Sequence, residues 1–175
     1  MKIKNIIILF ILMLNCPFSY SQNRTPIGTF NKLDESDYSY YYCYSDFIND
    51  RNLYENQSNR LELSEVYFVD LQNVADLIRS NFKIKSCISS NTLTIAKDDK
   101  KLTFSFIGIL DKNAKILSCA VTLSSRNNKN KIVLTETEVY CIISYCLNNF
   151  QFKNLKTPPN NCYRYISFVT PVQIE

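Results

Sequence analysis

The side chains that could carry out chemistry in this 175-residue chain are cysteines, carboxylates and tyrosines, because histidine is absent. Without an imidazole, these residues cannot build a Ser-His-Asp or Cys-His catalytic group or a histidine-ligated metal site. Only two glycines are present, so neither a phosphate-binding loop nor a dinucleotide-binding fingerprint is found. Disulfide bonding, carboxylate chemistry and aromatic stacking are the classes that remain.

Cysteine is the first of these candidate residue types. Seven are present, and six lie beyond residue 21: Cys43, Cys87, Cys119, Cys141, Cys146 and Cys162. An even number in an exported chain favours disulfides, but six cysteines allow fifteen pairings and the sequence selects none. The alternative is that some are ordinary core residues, since three of them lie in apolar patterns. Cys141 and Cys146 are about 140° apart around a helix, so we expect them neither to bond to each other nor to share a metal ion.

Three acidic pairs are candidates for carboxylate catalysis: Asp34-Glu35, Asp98-Asp99 and Glu136 with Glu138. Such catalysis needs two carboxylates on either side of a cleft. The surrounding sequence instead places the pairs in a loop, at a hairpin tip and at a helix cap. We therefore predict no catalytic residue, no metal site and no cofactor.

Alternate residues of one segment are tyrosine, namely Tyr38, Tyr40, Tyr42 and Tyr44. This alternation predicts a strand with all four rings on one face. The simpler interpretation is an aromatic strand packed on a sheet. The alternative is a platform on which a ligand stacks, since tyrosine combines an apolar ring with a polar tip.

The first 21 residues predict a cleavable signal peptide. Lys2 and Lys4 precede an apolar run of nine residues at 6–14, which is too short to span a membrane. Ser19 and Ser21 are the small residues expected before a cleavage site, so the mature chain would begin at residue 22 and be secreted or periplasmic. The alternative is a lipoprotein anchored at Cys16.

The remaining 154 residues are enough for one domain with a sizeable core. Loss of Lys2 and Lys4 with the leader leaves 18 basic and 16 acidic side chains without a basic cluster, so we expect no nucleic-acid partner. No later stretch is apolar enough to cross a membrane. Residues 22–60 read as an irregular N-terminal segment with the tyrosine-rich strand, and residues 61–175 read as an α+β domain.

Hydrophobic periodicity predicts the elements of that domain. Strands are expected at 66–69, 82–85, 92–95, 102–110, 116–123 and 163–169, with a turn at 111–114 and a helix at 71–81. Thr135 and Glu138 form a capping box at the start of a second helix, with a staple of Leu134 and Val139. One apolar stripe follows: Val139, Ile142, Ile143, Cys146, Leu147 and Phe150. The order predicts an α+β fold in which helices pack on one face of an antiparallel sheet.

Three segments occur in a recognisable order: the hairpin with Asp-Lys-Asn-Ala at its turn, Phe-Gln-Phe-Lys at 150–153 and Phe-Val-Thr-Pro-Val-Gln-Ile at 168–174. In the order of these segments, residues from about 102 to 175 resemble the C-terminal domain of TonB-like envelope proteins. The resemblance covers a little over 40% of the chain. Ala114 replaces the family's turn glycine, Asn154 replaces a proline, and no anchor with a long proline-rich spacer is present. The resemblance implies that this chain is a small exported protein with a related fold. It does not imply the energy-transducing role of TonB itself.

Three functional hypotheses follow. The first is a non-enzymatic binding or cell-envelope interaction domain that pairs an edge strand with an envelope protein or peptide; its candidate residues are Tyr163, Tyr165, Ser167 and Val169. The second is a structural or accessory exported protein without a ligand. The third is an enzyme of unfamiliar type that uses carboxylates or tyrosine. A long edge strand without bulge or charge favours the first hypothesis over the second.

Overall fold

The computed structural model describes residues 23–36, 39–56, 84–97, 102–125, 131–150, 152 and 164–172. Within these ranges there are five strands and four helices. In chain order they are β1 (Phe30–Ser36), β2 (Ser39–Tyr44), α1 (Ser45–Glu55), α2 (Ile84–Cys87), α3 (Ser90–Lys97), β3 (Leu102–Leu110), β4 (Ile116–Ser125), α4 (Glu136–Asn149) and β5 (Arg164–Val172).

The strands form one antiparallel sheet in the order β1-β2-β4-β3-β5. The β3–β4 hairpin lies at its centre, and its strands and turn are those the alternation predicts. In the turn, Asp111 accepts hydrogen bonds from the amides of Asn113 and Lys115, and Ala114 adopts a left-handed φ of 61°. Glycine is the usual residue for that conformation. The predicted α+β class with an antiparallel sheet is confirmed.

Helix α4 packs on one face of the sheet, as its sequence predicts. Thr135 accepts a hydrogen bond from the amide of Glu138, and the Glu138 carboxylate accepts one from the amide of Thr135, so the capping box is formed. Every residue of the predicted stripe is buried: Val139, Ile142, Ile143, Cys146, Leu147 and Phe150. Burial of this stripe against the even-numbered aromatic residues of β3 creates the main core.

Helix α1 lies against the opposite face of the sheet and forms a second helical layer. Phe47 is fully buried in a smaller cluster with Tyr41, Cys43, Ile109 and Ala120. These strand residues alternate with those that face α4, so they point to the other side of the sheet. The Ser118 hydroxyl also donates a 2.5 Å hydrogen bond to Asp50 of α1. Helices therefore pack on both faces, whereas the sequence suggested one covered face.

The segment 84–97 contradicts its predicted secondary structure. Ile84–Cys87 and Ser90–Lys97 are helical, whereas strands were expected at 82–85 and 92–95. The Ser89 hydroxyl accepts a hydrogen bond from the amide of Thr92, and the Thr94 hydroxyl donates to the carbonyl of Ser90. Ser89 thus satisfies a free amide of the first turn of α3, and four alternating residues are too few to outweigh that.

Several predictions concern residues outside the described ranges. They include the signal peptide, the strand at 66–69, the helix at 71–81, Tyr38, Asp98, Asp99, Cys162 and Tyr163.

Candidate functional site

Strand β5 is the last strand at one edge of the sheet that the structure describes. It pairs with β3 through nine consecutive residue pairs, from Leu102–Val172 to Leu110–Arg164, without a register shift. The candidate residues Tyr165, Ser167 and Val169 all lie on it and point to the face that carries α1. The structure therefore places three of the four candidate residues side by side on an edge strand.

The orientation of the β5 backbone follows from Pro171. In an antiparallel strand, the N–H and C=O groups of one residue point towards the neighbouring strand, and those of the next residue point away from it. Pro171 is paired with Thr103 but has no N–H to donate, so it suits a position that faces away from β3. We infer that Val169 and Ser167, two and four residues earlier, also direct their amide and carbonyl groups outward.

An aromatic cluster holds β5 in place from the α4 side. The Phe168 ring stacks on Phe106 with centroids 5.0 Å apart and contacts Phe150 at 5.7 Å. Gly108 lies directly opposite Ile166, and a Cβ at that glycine would meet the Phe106 ring at 2.8 Å. The edge strand is thus backed by close packing that fixes its position before any partner arrives.

The α1 side of the same strand is more open. Tyr165 stacks on Tyr54 of α1 with ring centroids 5.9 Å apart, which supports the first part of the strand. Ser167 is exposed, and Val169 is 66% exposed. Tyr54 could not be predicted from the sequence, because α1 lacks a regular apolar stripe.

Strand β1 forms the opposite edge and differs from β5. Lys32 and Asp34 lie on it, and its pairing with β2 shifts register between Asp34 and Ser36. Charges and bulges are features that prevent an edge from pairing with another strand. Between Tyr165 and Thr170, β5 has neither.

One disulfide joins Cys87 to Cys141, with the Cα atoms 5.4 Å apart, and so links the 84–97 segment to α4. At least one predicted bridge is therefore present, and Cys141 does not pair with Cys146. Cys43, Cys119 and Cys146 are buried thiols. Burial raises the pKa of the Cys43 thiol to about 11 and also raises the pKa values of the other two thiols. These three residues are core cysteines and not nucleophiles.

The acidic pairs serve structure where they are described. Burial of the Glu138 carboxyl raises its pKa, but hydrogen bonds from Thr135 and Ser89 outweigh this effect and lower the pKa to about 2. Asp34 and Glu35 lie on strand β1 and not in the predicted loop, and Asp34 forms an ion pair with Lys131. Asp98 and Asp99 lie outside the described residues. In the ranges that the structure describes, no group of three or more cysteine or acidic side chains is arranged to hold a metal ion.

The tyrosine strand packs as an aromatic layer over most of its length. Tyr42 and Tyr44 are buried, and Tyr40 is half-buried. The Tyr42 hydroxyl accepts a hydrogen bond from the amide of Leu134 and donates one to the carbonyl of Ile132, tying the strand to the start of α4. Tyr42 therefore belongs to an aromatic strand that packs on the sheet, as the simpler interpretation predicted.

Among the described residues, no helix has the length and apolar character needed to cross a membrane. Comparison of the chain with protein-family models, with curated proteins and with solved structures found no match in any of the three.

Proposed function

We propose that this protein is an exported, non-enzymatic binding domain that adds an extended segment of an envelope protein or peptide to the outer edge of β5. The observation that carries the proposal is the regular nine-residue pairing of β5 with β3, which leaves Ser167 and Val169 exposed at the sheet edge. An added strand would bond to outward backbone groups, and side chains on either side of the edge would supply specificity.

Two further features support strand addition. Phe168 is anchored by Phe106 and Phe150, so little conformational entropy remains to be lost when a partner binds. The interior of β5 is uncharged, which suits a partner segment whose central residues are also uncharged. The resemblance of residues 102–175 to TonB-like envelope domains agrees with this role and is part of the proposal.

The same proposal excludes substrate turnover as the role of the protein. It is supported by the absence of histidine from the chain and by the burial of the three described thiols. It also includes processing after Ser21 by a signal peptidase. N-terminal sequencing of the exported protein tests that part: Gln22 at the N-terminus agrees with it, and a lipid-modified Cys16 contradicts it.

The binding proposal is tested by affinity capture from the cell envelope of the source organism with two matched variants. Ser167→Ala removes only the side-chain hydroxyl and keeps the backbone amide, so we expect it to retain the captured partner. Ser167→Pro removes the outward amide, so we expect at least about tenfold less partner with an unchanged circular-dichroism spectrum. Equal capture by the two folded variants would contradict strand addition at this edge.

A further inference from the structure

A disulfide and a hydrogen bond join the 84–97 segment to α4 at neighbouring points. We call the four residues that make these links, Cys87, Ser89, Glu138 and Cys141, the Cys87 latch. Cys87 is bridged to Cys141, and the amide of Ser89 donates a 2.7 Å hydrogen bond to Oε1 of Glu138. Glu138 and Cys141 are three residues apart on α4, so they lie on the same face of that helix. The latch therefore attaches residues 87–89 to a single patch of α4.

The bridge of the latch is more accessible than the three thiols that the structure describes. Cys87 and Cys141 are both half-buried, whereas Cys43, Cys119 and Cys146 are at most 2% exposed. A disulfide is reduced when a thiolate attacks one of its sulfur atoms directly, so access decides which cysteines can react. We therefore expect a dissolved dithiol to reach the bridge while the three thiols in the core stay protected.

Apart from the latch, the segment is attached to the protein by few buried side chains. Among residues 86–94, only Ile88 and Thr92 are buried. Helix α4, in contrast, is fixed to the sheet by its own capping box and by its buried apolar stripe. Parts of a protein that contribute little buried surface can open locally while the rest stays folded. The segment can thus separate without loss of the packing between α4 and the sheet.

We propose that the Cys87 latch is a redox-sensitive device: a dithiol opens it, and the 84–97 segment then separates from α4 while α4 and the sheet stay folded. One thiolate of the dithiol attacks a sulfur of the bridge and breaks the S–S bond, which gives a mixed disulfide and releases the other cysteine. The second thiol of the dithiol then displaces the protein from the mixed disulfide. Two electrons and two protons pass to Cys87 and Cys141, which become thiols, and the dithiol becomes a disulfide.

The hydrogen bond of the latch links the position of the segment to the redox state. In the oxidised protein the bridge holds the amide of Ser89 against the Glu138 carboxylate. A bond that exists only in the closed form favours the oxidised protein, so its removal should make the bridge easier to reduce. If the segment stayed attached after reduction, the same bond would be present in both forms and its removal would not change the equilibrium. The device does not depend on strand addition at β5.

The test is the redox equilibrium of the mature chain in mixtures of reduced and oxidised dithiothreitol, with the bridged fraction measured by alkylation and mass spectrometry. Glu138→Gln removes the charge that strengthens the bond, and we expect it to raise the equilibrium constant for reduction at least about fivefold. Glu136→Gln is the matched control, because Glu136 is exposed and outside the capping box, and it should change the constant by less than about twofold. Equal constants for wild type and folded Glu138→Gln would overturn the proposal.

NMR spectra of the reduced and oxidised protein show whether the separation is local. We expect reduction to move the amide resonances of Ser89 and Leu93 towards random-coil positions. The resonances of Ala114 and Phe150 should stay in place, because these amides donate within the β3–β4 turn and at the end of α4. An unshifted Ser89 resonance would mean that the segment stays attached, and loss of the Ala114 and Phe150 resonances would mean that the bridge holds the whole fold. Either result would overturn the proposal.

Discussion

Replacing Glu138 by glutamine should destabilise the protein far more than the same change at its neighbour Glu136. The Glu138 side chain, in a residue that is 4% exposed, accepts hydrogen bonds at both oxygens. The amide of Ser89 donates to Oε1 at 2.7 Å, while the amide and hydroxyl of Thr135 donate to Oε2 at 2.7 and 2.9 Å. The Glu138 carboxylate therefore caps α4 and also connects the 84–97 segment to α4 by a hydrogen bond.

The magnitude follows from the pKa of this carboxyl. The hydrogen bonds lower the Glu138 pKa from 4.5 to about 2 in the folded protein. That difference corresponds to about 3 kcal/mol of stability when the group is ionised in both states. Glutamine keeps the shape but loses the charge, and its NH₂ group faces backbone donors that it cannot satisfy. Glu136 is exposed and lies outside the capping box, so Glu136→Gln should cost no more than about 0.5 kcal/mol.

The effect should also depend on pH in a defined direction. A carboxyl whose pKa is depressed by folding stabilises the protein above its unfolded pKa, and this stabilisation disappears as the pH falls towards the folded pKa. The difference in unfolding free energy between wild type and Glu138→Gln should therefore be about 3 kcal/mol at pH 7 and less than half of that near pH 3. Urea unfolding followed by circular dichroism measures it. A difference that stays constant over this range, or equal losses for the two glutamine variants, would contradict a stabilising role of the ionised Glu138 carboxylate.

Three further outcomes are expected from equilibrium unfolding. Gly108→Ala should cost about 1–3 kcal/mol, because the new Cβ would lie 2.8 Å from the buried Phe106 ring; a cost near zero would mean that this ring can move aside. Ile143→Ala should cost about 2–5 kcal/mol, since Ile143 lies on the buried face of α4, and a loss below about 0.5 kcal/mol would contradict that packing. Replacing Cys87 and Cys141 together by serine should cost about 4 kcal/mol, because the bridge joins residues 54 apart in sequence, and an unchanged denaturation midpoint would contradict a bridge in the wild type.

The elements predicted correctly from sequence are those whose determinants are local. Thr135, Glu138 and the stripe from Val139 to Phe150 lie within one short segment, and the cap and helix they specify form as expected. The β3–β4 hairpin combines clear alternation with an aspartate turn, so its pairing was also predictable. In each case the residues that specify the element also make its main contacts.

The remaining features depend on contacts that are distant in sequence. α1 has one fully buried residue, Phe47, and no apolar stripe, so periodicity does not reveal it. β1 is stabilised by its pairing with β2 and not by its own apolar pattern. The partner of Cys141 could not be chosen among fifteen possible pairings without knowing that α2 contacts α4. The position of β5 at an edge also could not be predicted, because it depends on the order of the strands in the sheet.

Amide hydrogen exchange along β5 tests strand addition most directly. The partner captured by the wild-type chain is purified and added back, and exchange is measured at Ser167 and Val169, with Ile166 and Phe168 as internal controls. In the isolated protein we expect fast exchange at Ser167 and Val169 and slow exchange at the two controls, because only the controls donate to β3. Bound partner should slow the two outward amides by at least about 100-fold and leave the controls unchanged. Equal protection of all four amides in the isolated protein, or unchanged exchange at Ser167 and Val169 in the complex, would contradict strand addition at the outer edge of β5.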